Sequence, residues 1–124
     1  MVDKIIIKKY FKFLESGDYK NMITLFSKNA IIFSPLYGKV SATKFYKDLF
    51  NDTNKSKIKL INIFSNKSSH LIGYFKYNWT LKNKSFISFY GTDIFSFNKN
   101  GKIKEVRIIY DTSPIKESFN NLKN

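Results

Sequence analysis

The stretch "TDIFSFNKNGKIKEVRIIY", residues 92–110, decides the fold, because it has the pattern of two β-strands joined by a tight turn. Apolar and polar residues alternate on both sides of "NKNG" (98–101), a sequence typical of hairpin turns. A four-residue loop at these positions pairs Asp93 with Val106. In that register the apolar side chains of both strands share one face, whereas a slip of one residue would separate them.

Asp93 is the unusual residue of this hairpin, since its strand position directs it toward the apolar interior. The same register sends Glu105 and Arg107 to the other face and removes the obvious cationic partner. Desolvation disfavours a buried carboxylate, so we expect a raised pKa. Two structural explanations stay open: a lysine from elsewhere reaches Asp93, or a bulge near Gly91 turns it outward. Buried, unpaired acids are also enriched at functional sites.

The two-residue period also extends N-terminally from this hairpin. It predicts strands near 57–65, 70–82, 86–97 and 102–110, with another turn at "KNK" (82–84). The second strand alternates over its whole length. Its apolar face carries Leu71, Gly73, Phe75, Tyr77, Trp79 and Leu81.

Helical periodicity dominates the first part of the chain. A helix is predicted over 4–16, and Asp18 suits the N-cap of a second helix. A short strand over 29–35 precedes a third helix capped by Ser41. The apolar stripes of the second and third helices are Tyr19, Met22, Ile23 and Phe26, and Phe45, Tyr46, Leu49 and Phe50. Helices followed by antiparallel strands predict an α+β fold with one sheet face packed on the helices, as a single domain over 1–124.

Composition restricts the function classes. The net charge of +13 comes almost entirely from scattered lysines, with Arg107 the only arginine, which favours a solvated surface over a nucleic-acid footprint. The chain has no cysteine and one histidine, His70, so we expect no metal centre and no cofactor. The N-terminal region is too polar for a signal peptide or a membrane span, and the expected compartment is the cytoplasm.

Tyr10 raises a question that matches the one at Asp93. Its helical neighbours Ile6, Ile7, Phe13 and Leu14 are all apolar, so its ring belongs to the core. A buried tyrosine hydroxyl needs a hydrogen-bond partner, which is either another protein group or a ligand.

Two stretches of the chain resemble a known superfamily. "YFKFLESGDYKNMITLFSKNAIIFSP" and "TDIFSFNKNGKIKEVRIIY" are similar to the two halves of nuclear-transport-factor-2-like proteins, which include ketosteroid isomerases, SnoaL-like polyketide cyclases and scytalone dehydratases. The resemblance covers about residues 8–115. It implies a cone-shaped, cystatin-like fold in which three N-terminal helices pack on a strongly curved, mostly antiparallel sheet.

The resemblance also implies roles for particular residues. The tyrosine of the ketosteroid isomerase oxyanion hole falls on Tyr10, and the neutral aspartic acid of that hole falls on Asp93. The general-base aspartate falls on Ser34, which cannot abstract a proton without a base of its own. The implied ligand pocket is lined by Ser34, Tyr37, Phe75, Tyr77, Trp79, Phe89, Ile108 and Tyr110.

Few replacement bases are available. Asp111, in "YDTSPI", is the candidate we retain, although it can equally accept backbone N–H bonds in a turn before Pro114. His70 begins a strand on the outer face and is expected at the surface.

Three functions remain compatible with the sequence. The first is an isomerase, cyclase or dehydratase acting on a small apolar carbonyl compound, and the second is a binding protein with the same pocket. The third is an interaction module. A homodimer through the outer sheet face, which carries Ile72, Tyr74, Ile94 and Ile109, fits all three.

Overall fold

The computed structural model describes residues 2–65 and 70–124. Within these residues the chain forms four α-helices and six β-strands. The elements are α1 (Val2–Ser16), α2 (Tyr19–Ile23), β1 (Phe26–Ser34), β2 (Gly38–Ser41), α3 (Ala42–Asp52), β3 (Thr53–Ser65), β4 (His70–Leu81), β5 (Phe86–Phe97), β6 (Ile103–Ile109) and α4 (Lys116–Lys123).

The strands form one curved sheet in the order β2-β1-β6-β5-β4-β3. Neighbouring strands are antiparallel except β1 and β6, which pair in parallel. Helix α1 contacts β3 and β4, whereas α3 contacts β1, β2 and β3. The helices therefore cover one face of the sheet, and the expected α+β cone architecture with a mostly antiparallel sheet is confirmed.

Local sequence signals explain where the helices begin and end. Gly17 follows α1 with φ +67°, a backbone conformation that glycine adopts without steric cost. Asp18 accepts a hydrogen bond from the backbone N–H of Asn21 at 3.2 Å and caps α2. Ser41 does the same for α3, accepting from the N–H of Lys44 at 3.3 Å. The capping residues proposed from the sequence are confirmed.

Phe26 was assigned incorrectly to the stripe of the second helix. Helix α2 ends at Ile23, and Phe26 is the first residue of β1, where it pairs with Ile103 of β6. Its spacing of four from Met22 fits a helix, but tertiary packing overrides this local pattern, because in β1 the Phe26 ring is buried against Tyr10 and Tyr46. Two short elements, β2 and α4, were not predicted at all.

The pairing partner of Asp93 was also wrong. Asp93 lies opposite Ile108, and Val106 lies opposite Phe95. Two one-residue changes account for the difference: Asn98 faces Lys102 across the turn, its N–H donating to the Lys102 carbonyl at 2.8 Å, and a register shift between Ser96 and Phe97 adds a residue to β6. The total offset is even, so the same apolar side chains still share the helix-facing side, as the pattern required.

Candidate functional site

Asp93 lies in the middle of the sheet with its side chain on the helix-facing side. It pairs with Gly73 of β4 and Ile108 of β6, and its exposed fraction is 2%. The β4–β5 pairing runs without a shift from His70 to Thr80, so no bulge near Gly91 turns the carboxyl group outward. Gly73 leaves room for helix α1, because a Cβ there would lie 2.8 Å from the ring of Phe11.

The carboxyl group of Asp93 is buried without a compensating charge. Its Oδ1 atom has no hydrogen-bond partner, and no lysine forms an ion pair with it, within the part of the chain that the structure describes. Burial raises the pKa of Asp93 to about 8, and the hydroxyl of Tyr10 partly offsets that rise. Asp93 is therefore mostly protonated at neutral pH and can act as a hydrogen-bond donor.

Tyr10 forms a hydroxyl pair with Tyr46. The two hydroxyl oxygens are 2.6 Å apart, and both side chains are almost fully buried between α1 and α3. Burial raises the pKa of both phenols well above 10, and the proximity of Asp93 contributes in the same direction. Both groups therefore stay neutral and keep their protons at physiological pH.

These groups meet at a small, partly open cavity of about 40 Å³, which we call the internal cavity. Its lining contains Tyr10, Leu14, Ser34, Tyr37, Phe45, Leu49, Phe75, Tyr77, Trp79, Phe89, Asp93, Ile108 and Tyr110. The structure thus brings together in one cavity every residue that was proposed for the pocket, with Tyr10 and Asp93 among them. The walls are apolar and aromatic, and Asp93 supplies the carboxyl group.

Most other polar groups of the cavity already form hydrogen bonds within the protein. The Tyr37 hydroxyl donates to Asp52 Oδ2 at 2.7 Å, and the hydroxyl oxygens of Tyr77 and Ser56 lie 2.6 Å apart. Ser34 Oγ accepts the backbone N–H of Tyr37 at 3.1 Å in the turn after β1. Ser34 therefore supports a turn, and no second carboxylate replaces it in the lining.

Asp111 lies outside the cavity. Its side chain is exposed after β6, and Oδ1 accepts the backbone N–H of Ser113 at 3.0 Å. This hydrogen bonding holds the pKa of Asp111 below its usual value. Asp111 therefore has a structural role in this turn, and no catalytic role is needed to explain its presence. His70 lies on the exposed side at the beginning of β4.

Four residues of the site were not identified from the sequence. Leu14, Phe45 and Leu49 line the cavity, and Tyr46 lies outside the lining and forms a hydrogen bond with Tyr10. Their helical spacing marks them as buried but does not tell which buried side chains face a void. One indication for Tyr46 was present in the sequence: it lies on an apolar stripe, so its buried hydroxyl needs a hydrogen-bond partner, as that of Tyr10 does.

No group of three or more His, Asp or Glu side chains that could hold a metal ion occurs within residues 2–65 and 70–124. The only acidic side chain of the cavity lining is Asp93. In the same described ranges, no helix is long and apolar enough to cross a membrane.

Comparisons with known proteins complete the description of the fold. No protein-family model matches the chain, and no curated protein matches it. Among solved structures, a nuclear-transport-factor-2-like protein of unknown function from Exiguobacterium sp. 255-15 superposes with a TM-score of 0.75 at 17% identity, covering 87% of this chain and 99% of that one. This chain has the nuclear-transport-factor-2-like fold.

Two further structures show which proteins share this nuclear-transport-factor-2-like fold. A protein assigned to the SnoaL-like polyketide cyclases from Shewanella denitrificans OS-217 has a TM-score of 0.79 at 12% identity, over 97% of this chain and 98% of that one. The epoxide hydrolase/cyclase-like enzyme SalBIII, which has a role in pyran ring formation in the polyether salinomycin, has a TM-score of 0.77 at 17% identity, over 90% and 92%. At these identities the likeness establishes the fold, and activity has to be argued from the site.

Proposed function

We propose that this protein binds a small apolar carbonyl compound in the cavity, with Asp93 as the principal hydrogen-bond donor and Tyr10 as the second. The observation that carries the proposal is the carboxyl group of Asp93: this residue lines an apolar cavity, and its buried Oδ1 has no partner in the described structure. An unpaired buried polar atom costs about 1–3 kcal/mol, so a ligand oxygen that pairs with this group gains that energy on binding.

The hydroxyl pair between Tyr46 and Tyr10 supports the second donor. Tyr46 is not part of the cavity lining, whereas Tyr10 is. When Tyr46 donates to Tyr10, the proton of Tyr10 remains available for Asp93 or for a ligand oxygen. A chain of hydrogen bonds polarises its members and strengthens the terminal donor.

The size of the cavity limits the ligand. A volume of about 40 Å³ holds only two or three water molecules, so a larger molecule must extend through the opening of the cavity or displace a side chain beside it. Helix α4 is the element that covers this region, because Phe119 packs against Tyr37 and Trp79 with ring centroids 5.1 and 6.4 Å apart. The ligand therefore enters as a compact apolar group and not as a long flexible chain.

The available groups favour some reactions over others. A neutral acid and a phenol stabilise negative charge that develops on a carbonyl or leaving oxygen, which assists ring closure or dehydration. Isomerisation and dehydration both remove a proton from carbon, so each needs in addition a base, and Ser34 cannot serve as one unaided. Ring closure by a hydroxyl group releases only an O–H proton, which water can accept, so we place cyclisation ahead of the other two reactions.

The alternative is a non-catalytic module on the same fold that binds an apolar ligand or a protein. A homodimer through the outer sheet face belongs to both proposals. Phe64, Ile72, Ile94 and Arg107 lie opposite one another on successive strands, so apolar groups cross this face in a row. We propose the homodimer on this basis. We also propose a cytoplasmic location and no specific nucleic-acid partner.

A phenol that mimics an enolate tests the pocket directly. We expect 2-naphthol to bind and to change the fluorescence of Trp79, the only tryptophan, which lines the cavity. Asp93→Asn and Tyr10→Phe should weaken binding by about tenfold or more, since each removes or weakens a hydrogen bond to the ligand oxygen. Asp111→Asn is the matched control, because it makes the same change at an exposed aspartate outside the cavity, and its affinity should equal that of the wild type.

Absence of binding at millimolar concentrations, with Asp93→Asn and Tyr10→Phe folded, would contradict the pocket proposal. Turnover is a separate test. A hydroxy-ketone that loses water, or closes a ring, with wild-type protein but not with Asp93→Asn would establish the enzyme. Binding without turnover would establish the alternative, a ligand-binding module.

A further inference from the structure

A second recess lies between helix α1 and strand β3, and we call it the α1–β3 groove. Its volume is about 1020 Å³, which is at the upper end of the range for small-molecule sites. Its lining includes three lysines and five apolar side chains: Lys8, Lys12, Lys55, Phe11, Leu14, Phe50, Ile58 and Leu60. The groove is far larger than the internal cavity.

The cations of the groove outnumber the acids of its lining. Three lysines stand beside one acidic side chain, Glu15, whose carboxylate accepts the backbone N–H of Ile58 at 2.9 Å. Across the described ranges of the chain, Lys8, Lys12 and Lys55 form no ion pair with an acid. Three ammonium groups around one recess produce a positive potential that attracts an anion.

The floor between these cations is apolar. Phe50, Ile58 and Leu60 are half-buried, so part of each side chain remains open to the groove. Inorganic phosphate would use the lysines and leave this surface in contact with water. A molecule with one charged end and one apolar chain would cover both kinds of surface, and each methylene that it buries is worth about 0.8 kcal/mol.

Strand β3 is an edge of the sheet, so an added β-strand is the competing occupant. Lysines on an edge strand oppose such pairing, and Lys55, Lys57 and Lys59 are all exposed there. Glu15 also occupies the N–H of Ile58, which an added strand would need. The groove is therefore better suited to a small molecule than to another polypeptide.

We propose that the α1–β3 groove binds a single-chain amphipathic carboxylate, with the carboxylate among the three lysines and the chain along Phe50, Ile58 and Leu60. This site does not depend on the proposed function of the internal cavity. Leu14 contributes to both linings, and the Ser56–Tyr77 hydroxyl pair stands between the two spaces, since Ser56 lines the groove and Tyr77 the cavity.

Titration calorimetry with octanoate, decanoate and dodecanoate below their micellar concentrations tests this site. We expect affinity to rise by up to about fourfold for each added methylene that the groove buries. Lys12→Glu should weaken dodecanoate binding by about five- to tenfold, because an attraction becomes a repulsion. Lys9→Glu is the matched control: it lies on the same helix, is exposed, changes the charge equally and does not line the groove. Its affinity should stay within twofold of the wild type.

Several outcomes would overturn the inference. Equal losses in Lys9→Glu and Lys12→Glu would reduce the effect to net charge, and equal binding of dodecyltrimethylammonium would remove the role of the lysines. Loss of binding in Asp93→Asn but not in Lys12→Glu would move the ligand to the internal cavity and contradict the groove site, whereas the cavity proposal has its own test in the binding of 2-naphthol. Sedimentation of the protein with phosphatidylglycerol vesicles, without binding of monomeric dodecanoate, would indicate a membrane surface instead.

Discussion

The hydroxyl oxygens of Tyr10 and Tyr46 lie 2.6 Å apart, and they form a hydrogen bond between α1 and α3 that is shielded from water. Tyr46 stands behind the cavity and Tyr10 lines it, so this bond connects the helix layer to the site around Asp93. Because both side chains are buried, removing one hydroxyl leaves the other without its partner.

The hydroxyl pair can be tested by a double-mutant cycle. Tyr10→Phe and Tyr46→Phe should each lower the free energy of unfolding by about 1–3 kcal/mol, since each leaves a buried hydroxyl without this bond. The double variant should cost less than the sum of the two, because neither hydroxyl is then left over. Urea unfolding gives the three values. Tyr90→Phe, at an exposed position, should change stability by less than about 0.5 kcal/mol. Strict additivity would show that the two hydroxyls are not coupled.

The raised pKa of Asp93 predicts a pH-dependent stability. The unfolded chain has released this proton by pH 5, whereas the folded protein keeps it up to about pH 8. The folded state therefore binds more protons over this range, and the contribution of Asp93 to stability is lost as the pH rises. We expect the free energy of unfolding to fall by about 1.4 kcal/mol per pH unit between pH 5 and 7, and by about half as much per unit at pH 8.

The comparison of two matched variants isolates this contribution. Asp93→Asn should remove the slope, since the amide does not titrate, whereas Asp111→Asn should retain the wild-type slope. Urea unfolding at pH 5, 6, 7 and 8 measures all three proteins. A wild-type slope identical to that of Asp93→Asn would mean that Asp93 is ionised throughout.

Gly91 controls the position of one cavity wall. A Cβ at residue 91 would lie 2.8 Å from Cζ of Phe75, which is closer than carbon atoms approach. Gly91→Ala should therefore push the Phe75 ring and destabilise the fold by about 1–3 kcal/mol. Adding Phe75→Leu should recover part of this loss by giving room to the methyl group. If Phe75→Leu instead lowers the free energy of unfolding by as much in Gly91→Ala as in the wild type, a clash with Phe75 is not the cause of the destabilisation.

Phe119 should control access to the cavity. The Phe119 side chain packs on Tyr37 and Trp79, and its exposed fraction is 7%. Phe119→Ala should expose the indole of Trp79, shift its emission to longer wavelength and increase quenching by acrylamide. It should also cost about 2–4 kcal/mol of stability. Phe86→Ala is the control, because Phe86 is 66% exposed and far less of it packs against other residues. An unchanged emission in Phe119→Ala would show that α4 does not shield the site.

The sequence was sufficient to predict on which side of the sheet Asp93 lies, because alternate residues of a strand point to the same face. It was insufficient for the partner of Asp93. The turn and the register shift next to Ser96 each move the pairing by one residue, and their sum leaves the apolar pattern unchanged, so several even offsets fit the sequence equally well.

Helix α4 illustrates a different limit. "KESFNNLK" has little intrinsic helical preference, and only Phe119 is buried. Its helix is stabilised by packing of Phe119 on aromatic rings of the cavity wall, which are distant in sequence. Strand β2 is only four residues long and shows no clear alternation. Neither element could be predicted from local pattern.

The cavity was predicted better from the strands than from the helices. Alternation along β4 and β5 put Phe75, Tyr77, Trp79 and Phe89 on one surface. For α3, periodicity showed only that Phe45 and Leu49 are buried. Which buried side chain borders a void depends on how well the layers fit together, and this is a property of packing and not of spacing.

The central claim is that Asp93 is a neutral donor inside the cavity, and carbon NMR of the aspartate side chains tests it most directly. The account predicts one carboxyl carbon that titrates with a midpoint near pH 8 and is absent from the spectrum of Asp93→Asn. A midpoint below about pH 5 for the carboxyl carbon that Asp93→Asn removes would contradict a neutral Asp93.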